Sequence, residues 1–149
     1  MPEGPSCRCW PEPRDGDPAW VREKLAAEPA ALRTLRGRMR SWVVTAELGD
    51  DLAESIVLVV DEAVTNAVEH ACPDRECHVE LVAGPRACGG GVAVLVADDG
   101  AWLPPGDPGY RGRGVTLMAQ LADRASLEAT DQGTTVRLCW GAPAPAPTD

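Results

Sequence analysis

Leu58-Val59-Val60-Asp61-Glu62-Ala63-Val64-Thr65-Asn66-Ala67-Val68-Glu69-His70-Ala71 is the stretch that decides how the rest of the chain is read. Apolar and small residues fill it without a Gly or Pro until Pro73, so it reads as a helix that Pro73 stops. Ile56, Val59, Val60, Ala63, Val64 and Ala67 recur at helical spacing and supply a stripe for a core. Against that stripe stands a row at spacing four: Glu62, Asn66, His70. Residues four apart lie above one another on a helix, so a carboxylate, an amide and an imidazole share one face. On an ordinary surface helix such a row is a solvated face. This helix is so apolar elsewhere that part of the row is expected against a cavity wall, where it would form a site.

Composition narrows the class. The 149 residues suit one domain with a proper core, and 44% are hydrophobic. A net charge of −9 leaves no basic surplus for nonspecific nucleic-acid binding. No window approaches the roughly 18 apolar residues of a membrane span, and Met1 is not followed by a signal-peptide core. A cytoplasmic protein is expected. The six cysteines are irregularly spaced. Cys72, Cys77, His78 and Cys88 lack the paired C-x-x-C of a structural zinc site, so free thiols are expected.

Outward from the central helix, residues 1–18 carry prolines and scattered charges without periodicity and read as a disordered tail. The domain is expected over 19–141, with a second disordered tail over 142–149. Ala19–Ala26 alternates loosely, as an edge strand does. Leu32, Leu35, Met39, Trp42, Val43 and Ala46 mark an amphipathic helix whose other face carries Arg33, Arg36 and Arg40. Asp50/Asp51 cap the central helix. Strands are expected over Cys77–Ala83 and, as a continuous apolar run, over Val92–Ala97. Ala101–Arg111 is too rich in Pro and Gly for regular structure and reads as a loop or lid. A helix follows over Gly114–Leu121. Ala125–Ala129 and Thr134–Trp140 flank Asp131-Gln132-Gly133 as a hairpin. The sum is an α/β two-layer sandwich: a mixed, mostly antiparallel sheet with helices packed on one face.

Four boxes stand in order along this plan: Glu62-x-x-x-Asn66-Ala67-x-x-His70, Asp98-x-Gly100, Gly112-Arg113-Gly114 and Gly133-Thr134. Each glycine motif alone is weak; four in this order and at these separations resemble the Bergerat-fold ATPases, which include gyrase-type ATPases and histidine kinases. Within that superfamily the chain is similar to the small RsbW-type serine kinases that act as anti-sigma factors. The resemblance covers roughly Trp20 to Trp140. It implies ATP and Mg as cofactors, with Asn66 as metal ligand and Glu62 as catalytic base. His70 is assigned to the nucleotide wall.

The residues alone do not choose between Asp98 and Asp99; the family spacing makes Asp98 the acceptor for the adenine amino group. Gly100 would let the backbone approach the base. Here the chain departs from the fuller D-x-G-x-G form. Gly112 and Gly114 precede a helix whose N–H groups suit phosphate, and Arg111 or Arg113 would clamp its charge. Thr134 and Thr135 would close the wall near the phosphates. A G-x-x-x-x-G-K-[ST] motif is absent, and Lys24 is the only lysine, which excludes a P-loop.

The resemblance further implies phosphorylation of a STAS-type anti-anti-sigma partner, sequestration of a sigma factor, and a homodimer. Two other readings stay open. One is a non-catalytic ATP-binding module that shapes a partner surface. The other is a detached histidine-kinase catalytic domain, against which stands the place of both histidines, His70 and His78, inside the ATPase itself.

Overall fold

The computed structural model describes residues 16–69, 72, 75–86, 90–100, 120–130 and 132–141. Two helices lead. Pro29 occupies the first turn of α1 (Pro29–Thr45), where its missing N–H costs nothing, and α2 (Asp50–Glu69) begins on two acids that suit the helix dipole. Around them the chain forms β1 (Val21–Ala26), β2 (His78–Pro85), β3 (Val92–Asp98), β4 (Arg124–Thr130) and β5 (Gly133–Trp140). The strands make one sheet in the order β1-β2-β3-β5-β4, every described pairing antiparallel. Gln120 and Leu121 are helical; the rest of the helix expected over Gly114–Leu121 lies outside the described residues, as does the Ala101–Arg111 loop.

The core fills the layer between helices and sheet. Leu35 and Met39 of α1 and Ile56, Val59, Val60 and Val64 of α2 meet Val79, Leu81, Val94, Val96, Val136 and Leu138 of the strands. Alternation explains the sheet: in β5 the buried Thr134, Val136, Leu138 and Trp140 interleave with Thr135 and Arg137, which point to the opposite face. That outer face is charged, with Arg22 and Arg137 paired to Glu80 and Glu128. Two buried indoles find acceptors, Trp42 Nε1 donating to the Ala19 carbonyl at 3.0 Å and Trp140 Nε1 to the Leu121 carbonyl at 2.8 Å.

The helices are also joined by charge. Arg36 Nε donates to both oxygens of Asp61 at 3.0 Å. One of the three arginines expected on an exposed basic face is therefore turned toward α2. The expectation of free thiols fails as well. Cys72 and Cys77 form a disulfide, because the return of the chain from α2 to β2 brings their Cα atoms within 5.6 Å, a separation that a disulfide spans. Cys139 is disulfide-bonded too. Among the described residues no helix is long and apolar enough to cross a membrane.

Candidate functional site

The candidate site lies where α2 ends and β3 ends. Both arrive at the same end of the molecule, because the chain leaving α2 returns directly as β2, whose first residues pair with the last of β3. Glu62 is half-buried and Asn66 is 1% exposed. Neither Oδ1 nor Nδ2 of Asn66 has a hydrogen-bond partner. Thr134 is likewise 1% exposed, and its Oγ1 is unpaired. These two are the buried polar side chains of the described residues, and both are unsatisfied. Leaving such groups unpaired costs about 1–3 kcal/mol each, so an interior that keeps them is built to receive polar atoms from elsewhere.

The pleat separates the two aspartates. Asp98 pairs in register with Thr134 on one side and Val79 on the other, and it shares their inward face. Its Oδ1 accepts a hydrogen bond from the Gly100 N–H at 3.0 Å, and Gly100 is buried. Asp99 turns outward. It accepts from the His78 N–H at 2.6 Å, lies 3.3 Å from His78 Nδ1 and faces Arg75 at 3.9 Å. Burial favours the neutral acid of Asp99. The His78 N–H, imidazole and ring charge outweigh that effect and hold the carboxyl below its ordinary value.

A carboxyl depressed on folding stabilises the protein above its unfolded pKa, and that contribution is lost as pH falls through the folded value. Asp99→Asn is therefore expected to flatten the acid limb of a stability–pH curve below about pH 4. The effect should stay under about 1 kcal/mol, since the partners are well solvated. Denaturant midpoints measured from neutral pH down to the acid limb check this, and parallel curves for mutant and wild type would refute it.

Gly133 locks the hairpin against this corner. Its φ is +142°, and a Cβ there would lie 2.0 Å from the Asp98 carbonyl oxygen. The turn thus rests directly on the backbone of the Asp98–Gly100 box. Of the residues read as a site from sequence, Asp98, Gly100 and Thr134 are joined by the sheet register and the Gly100 hydrogen bond, and Glu62 and Asn66 stand one turn apart on α2. Thr135 does not join them: it pairs with Ala97 and Glu128, and strand alternation points it to the outer face. His70, Arg111, Gly112, Arg113 and Gly114 lie outside the described residues. Among the described residues no cluster of His, Cys, Asp and Glu forms a metal cage.

Comparison with known families gives a match to the histidine kinase-like ATPase domain over residues 25–140. The chain belongs to the histidine kinase-like ATPase family. Among solved structures, this ATPase domain is similar to the RsbU and RsbW domains of Rv1364c from Mycobacterium tuberculosis. The two share 26% identity at a TM-score of 0.68, over 87% of this chain and 34% of that one. It also resembles in fold the histidine kinase domain of a blue-light activated histidine kinase from Erythrobacter litoralis. There the identity is 24% and the TM-score 0.52, over 73% of this chain and 64% of that one. The ATPase domain thus spans about a third of the mycobacterial chain and under two thirds of the other. Membership makes the chain an ATP-binding, kinase-type module.

Proposed function

We propose that this ATPase domain is an ATP-dependent protein-serine kinase of the anti-sigma type. It would phosphorylate a STAS-type anti-anti-sigma partner, alternatively sequester a sigma factor, and work as a cytoplasmic homodimer. The observation that carries the reading is Asn66, a buried amide with both polar atoms unpaired on a helix that also presents Glu62. Likeness to a protein with an RsbW domain supports the anti-sigma assignment over a histidine kinase, whose likeness is one of fold.

Magnesium fits the residues present. It takes few oxygens from protein and the rest from water and phosphates, and the orphaned Oδ1 of Asn66 offers one. Bound there, the ion would neutralise phosphate charge. The chain's own groups do the remainder. Asp98, on the inward face, accepts from the adenine amino group, and the buried Gly100 admits the base. Thr134 donates its free hydroxyl to the bound nucleotide. Glu62, one turn before Asn66, takes the proton of an attacking serine hydroxyl. His70 would line the nucleotide wall, and Arg111 or Arg113, with Gly112 and Gly114, would hold the phosphates.

Titration of a fluorescent ATP analogue tests the binding half. Wild-type affinity should fall by about tenfold or more with EDTA, and Asn66→Ala should remove that dependence, the loss of about one charge-assisted contact. Asp98→Asn should erase the preference for adenine over guanine. Affinity indifferent to EDTA and to Asn66→Ala would remove the metal assignment. A loss of adenine preference in Asp99→Asn would place the box one residue later.

A further inference from the structure

The Cys72–Cys77 bond lies beside the Asp98–Gly100 box, and the proposed function gives it no part. Cys77 immediately precedes β2, and its carbonyl accepts from the Ala27 N–H at 2.7 Å, which fixes it to the end of β1. The next residue, His78, is joined to Asp99 in both directions. Its N–H donates to the Asp99 carboxylate at 2.6 Å, and its carbonyl accepts from the Asp99 N–H at 3.3 Å. On the other side of the bridge, Cys72 Sγ lies 3.7 Å from the Asp99 carbonyl oxygen. Arg75, between the two cysteines, donates to that same oxygen. Asp99 is the middle residue of Asp98-Asp99-Gly100. The bridge therefore ties the chain leaving α2, the helix of Glu62 and Asn66, to the backbone between Asp98 and Gly100.

The two sulfurs differ in access. Cys72 is half-buried, whereas Cys77 is 5% exposed. A thiolate attacking from solvent meets Cys72 Sγ, and Cys77 is then the leaving group. The Cys72 N–H donates to Cys77 Sγ at 2.8 Å. A backbone N–H in that place stabilises the departing thiolate, and a stabilised thiolate leaves faster. In the cytoplasm, the compartment of the proposed function, a disulfide is usually transient and catalytic or redox-sensing.

We propose that Cys72 and Cys77 form a thiol–disulfide switch that sets how firmly the Asp98–Gly100 box holds nucleotide. This rests on the nucleotide site of the proposed function and adds its regulation. A dithiol reductant opens the switch in two exchanges. Its first thiolate bonds to Cys72 Sγ; the S–S bond breaks, and its electron pair goes to Cys77, which takes a proton from water. The second thiol then displaces Cys72 Sγ and closes the reductant's own disulfide, so the protein gains two electrons and two protons. Hydrogen peroxide reverses this. The Cys72 thiol takes one oxygen as a sulfenic acid and releases water, and the Cys77 thiol attacks that sulfur and releases a second water. Oxidised, the bridge holds Asp99 from both ends of the connection. Reduced, His78 still reaches Asp99, but the chain leaving α2 is no longer bound to Cys77, and the Asp98–Gly100 backbone loosens.

The affinity of the full chain for the fluorescent ATP analogue should fall about fivefold or more on reduction with dithiothreitol and return after hydrogen peroxide. Alkylation and peptide mass mapping establish the state of Cys72 and Cys77 in each sample. Cys72→Ser/Cys77→Ser should sit at the reduced affinity and ignore both reagents; should it fail to fold, Cys72→Ala/Cys77→Ala takes its place. Hydrogen exchange of the Gly100 amide, bonded to Asp98 Oδ1 at 3.0 Å, is a second readout that needs no nucleotide and should quicken on reduction. Affinity that is equal in the two mapped states would overturn the switch and leave the nucleotide site standing. A double variant that still responds would assign the effect to other cysteines and overturn it too. So would lower affinity with unchanged Gly100 exchange, which puts the effect outside the box. Reduction that unfolds the chain by circular dichroism would make the bond a structural one and equally overturn the switch. No binding in either state would remove the nucleotide site itself, and the switch with it.

Discussion

Glu62→Gln is expected to leave nucleotide affinity unchanged and to cut transfer of the γ-phosphate to a partner serine by about 10²–10⁴, the usual worth of a general base. The amide keeps the shape and hydrogen-bonding reach of the carboxylate but cannot take a proton. Binding survives because the groups held responsible for it, Asn66, Asp98 and Thr134, are untouched. On the proposed function, sigma-factor binding in the ATP state should persist too, since that binding would require an occupied site and not the chemistry. The assay uses radiolabelled ATP, the purified chain and a STAS-type partner, with wild type and variant in parallel. Equal transfer by both would mean that Glu62 is not the base. Absence of transfer by either, with nucleotide binding intact, would favour a non-catalytic ATP-binding module.

Gly133→Ala should be the most damaging single methyl on this surface. The added carbon would sit 2.0 Å from the Asp98 carbonyl oxygen and 2.9 Å from the Asp99 Cα, and backbone cannot step aside as a side-chain tip can. The residue is also held at φ +142°, which an L side chain resists. Strain of this kind costs about 2 kcal/mol or more, which lowers Tm by roughly 4–8 °C in a domain of this size. Because the displaced atoms belong to the Asp98–Gly100 box proposed to take adenine, nucleotide affinity should fall with it. Gly37→Ala is the control of opposite sign. Nothing lies within 4 Å of its Cβ, and an exposed helical Gly→Ala change stabilises by about 0.5–1 kcal/mol. Calorimetry showing the same Tm shift for both would remove the clash from consideration.

Much of this is legible in the sequence. The period of Ile56, Val59, Val60, Ala63, Val64 and Ala67 announces a buried helix face, and each of these residues is buried. Every strand read from alternation or an apolar run is a strand. The difference between Asp98 and Asp99 was not legible from composition, because a central strand is apolar on both faces and its pleat leaves no alternating trace. In β5 the trace was present. Val136, Leu138 and Trp140 alternate with Thr135 and Arg137, which already assigns Thr134 inward and Thr135 outward. The Cys72–Cys77 bond depends on how the chain returns from α2 to β2, which spacing does not encode. Which of Arg33, Arg36 and Arg40 turns inward depends on how α1 is rotated against α2, and only the packed pair settles it.

The strand order carries a consequence for how the molecule assembles. β2 with β3 and β4 with β5 are neighbours in sequence as well as in the sheet, so each pair closes a short loop. β1 differs: Val21 finds Ala83 only after both helices have been laid down between them. Closing so long a loop is entropically costly until the intervening core exists, so topology puts β1 among the last elements to zip onto the sheet. The same ordering makes it among the first to peel away, and with it the Ala19 carbonyl that holds Trp42. Trp42 is therefore placed to report early opening of the N-terminal edge while the β3–β5 part of the sheet is still intact.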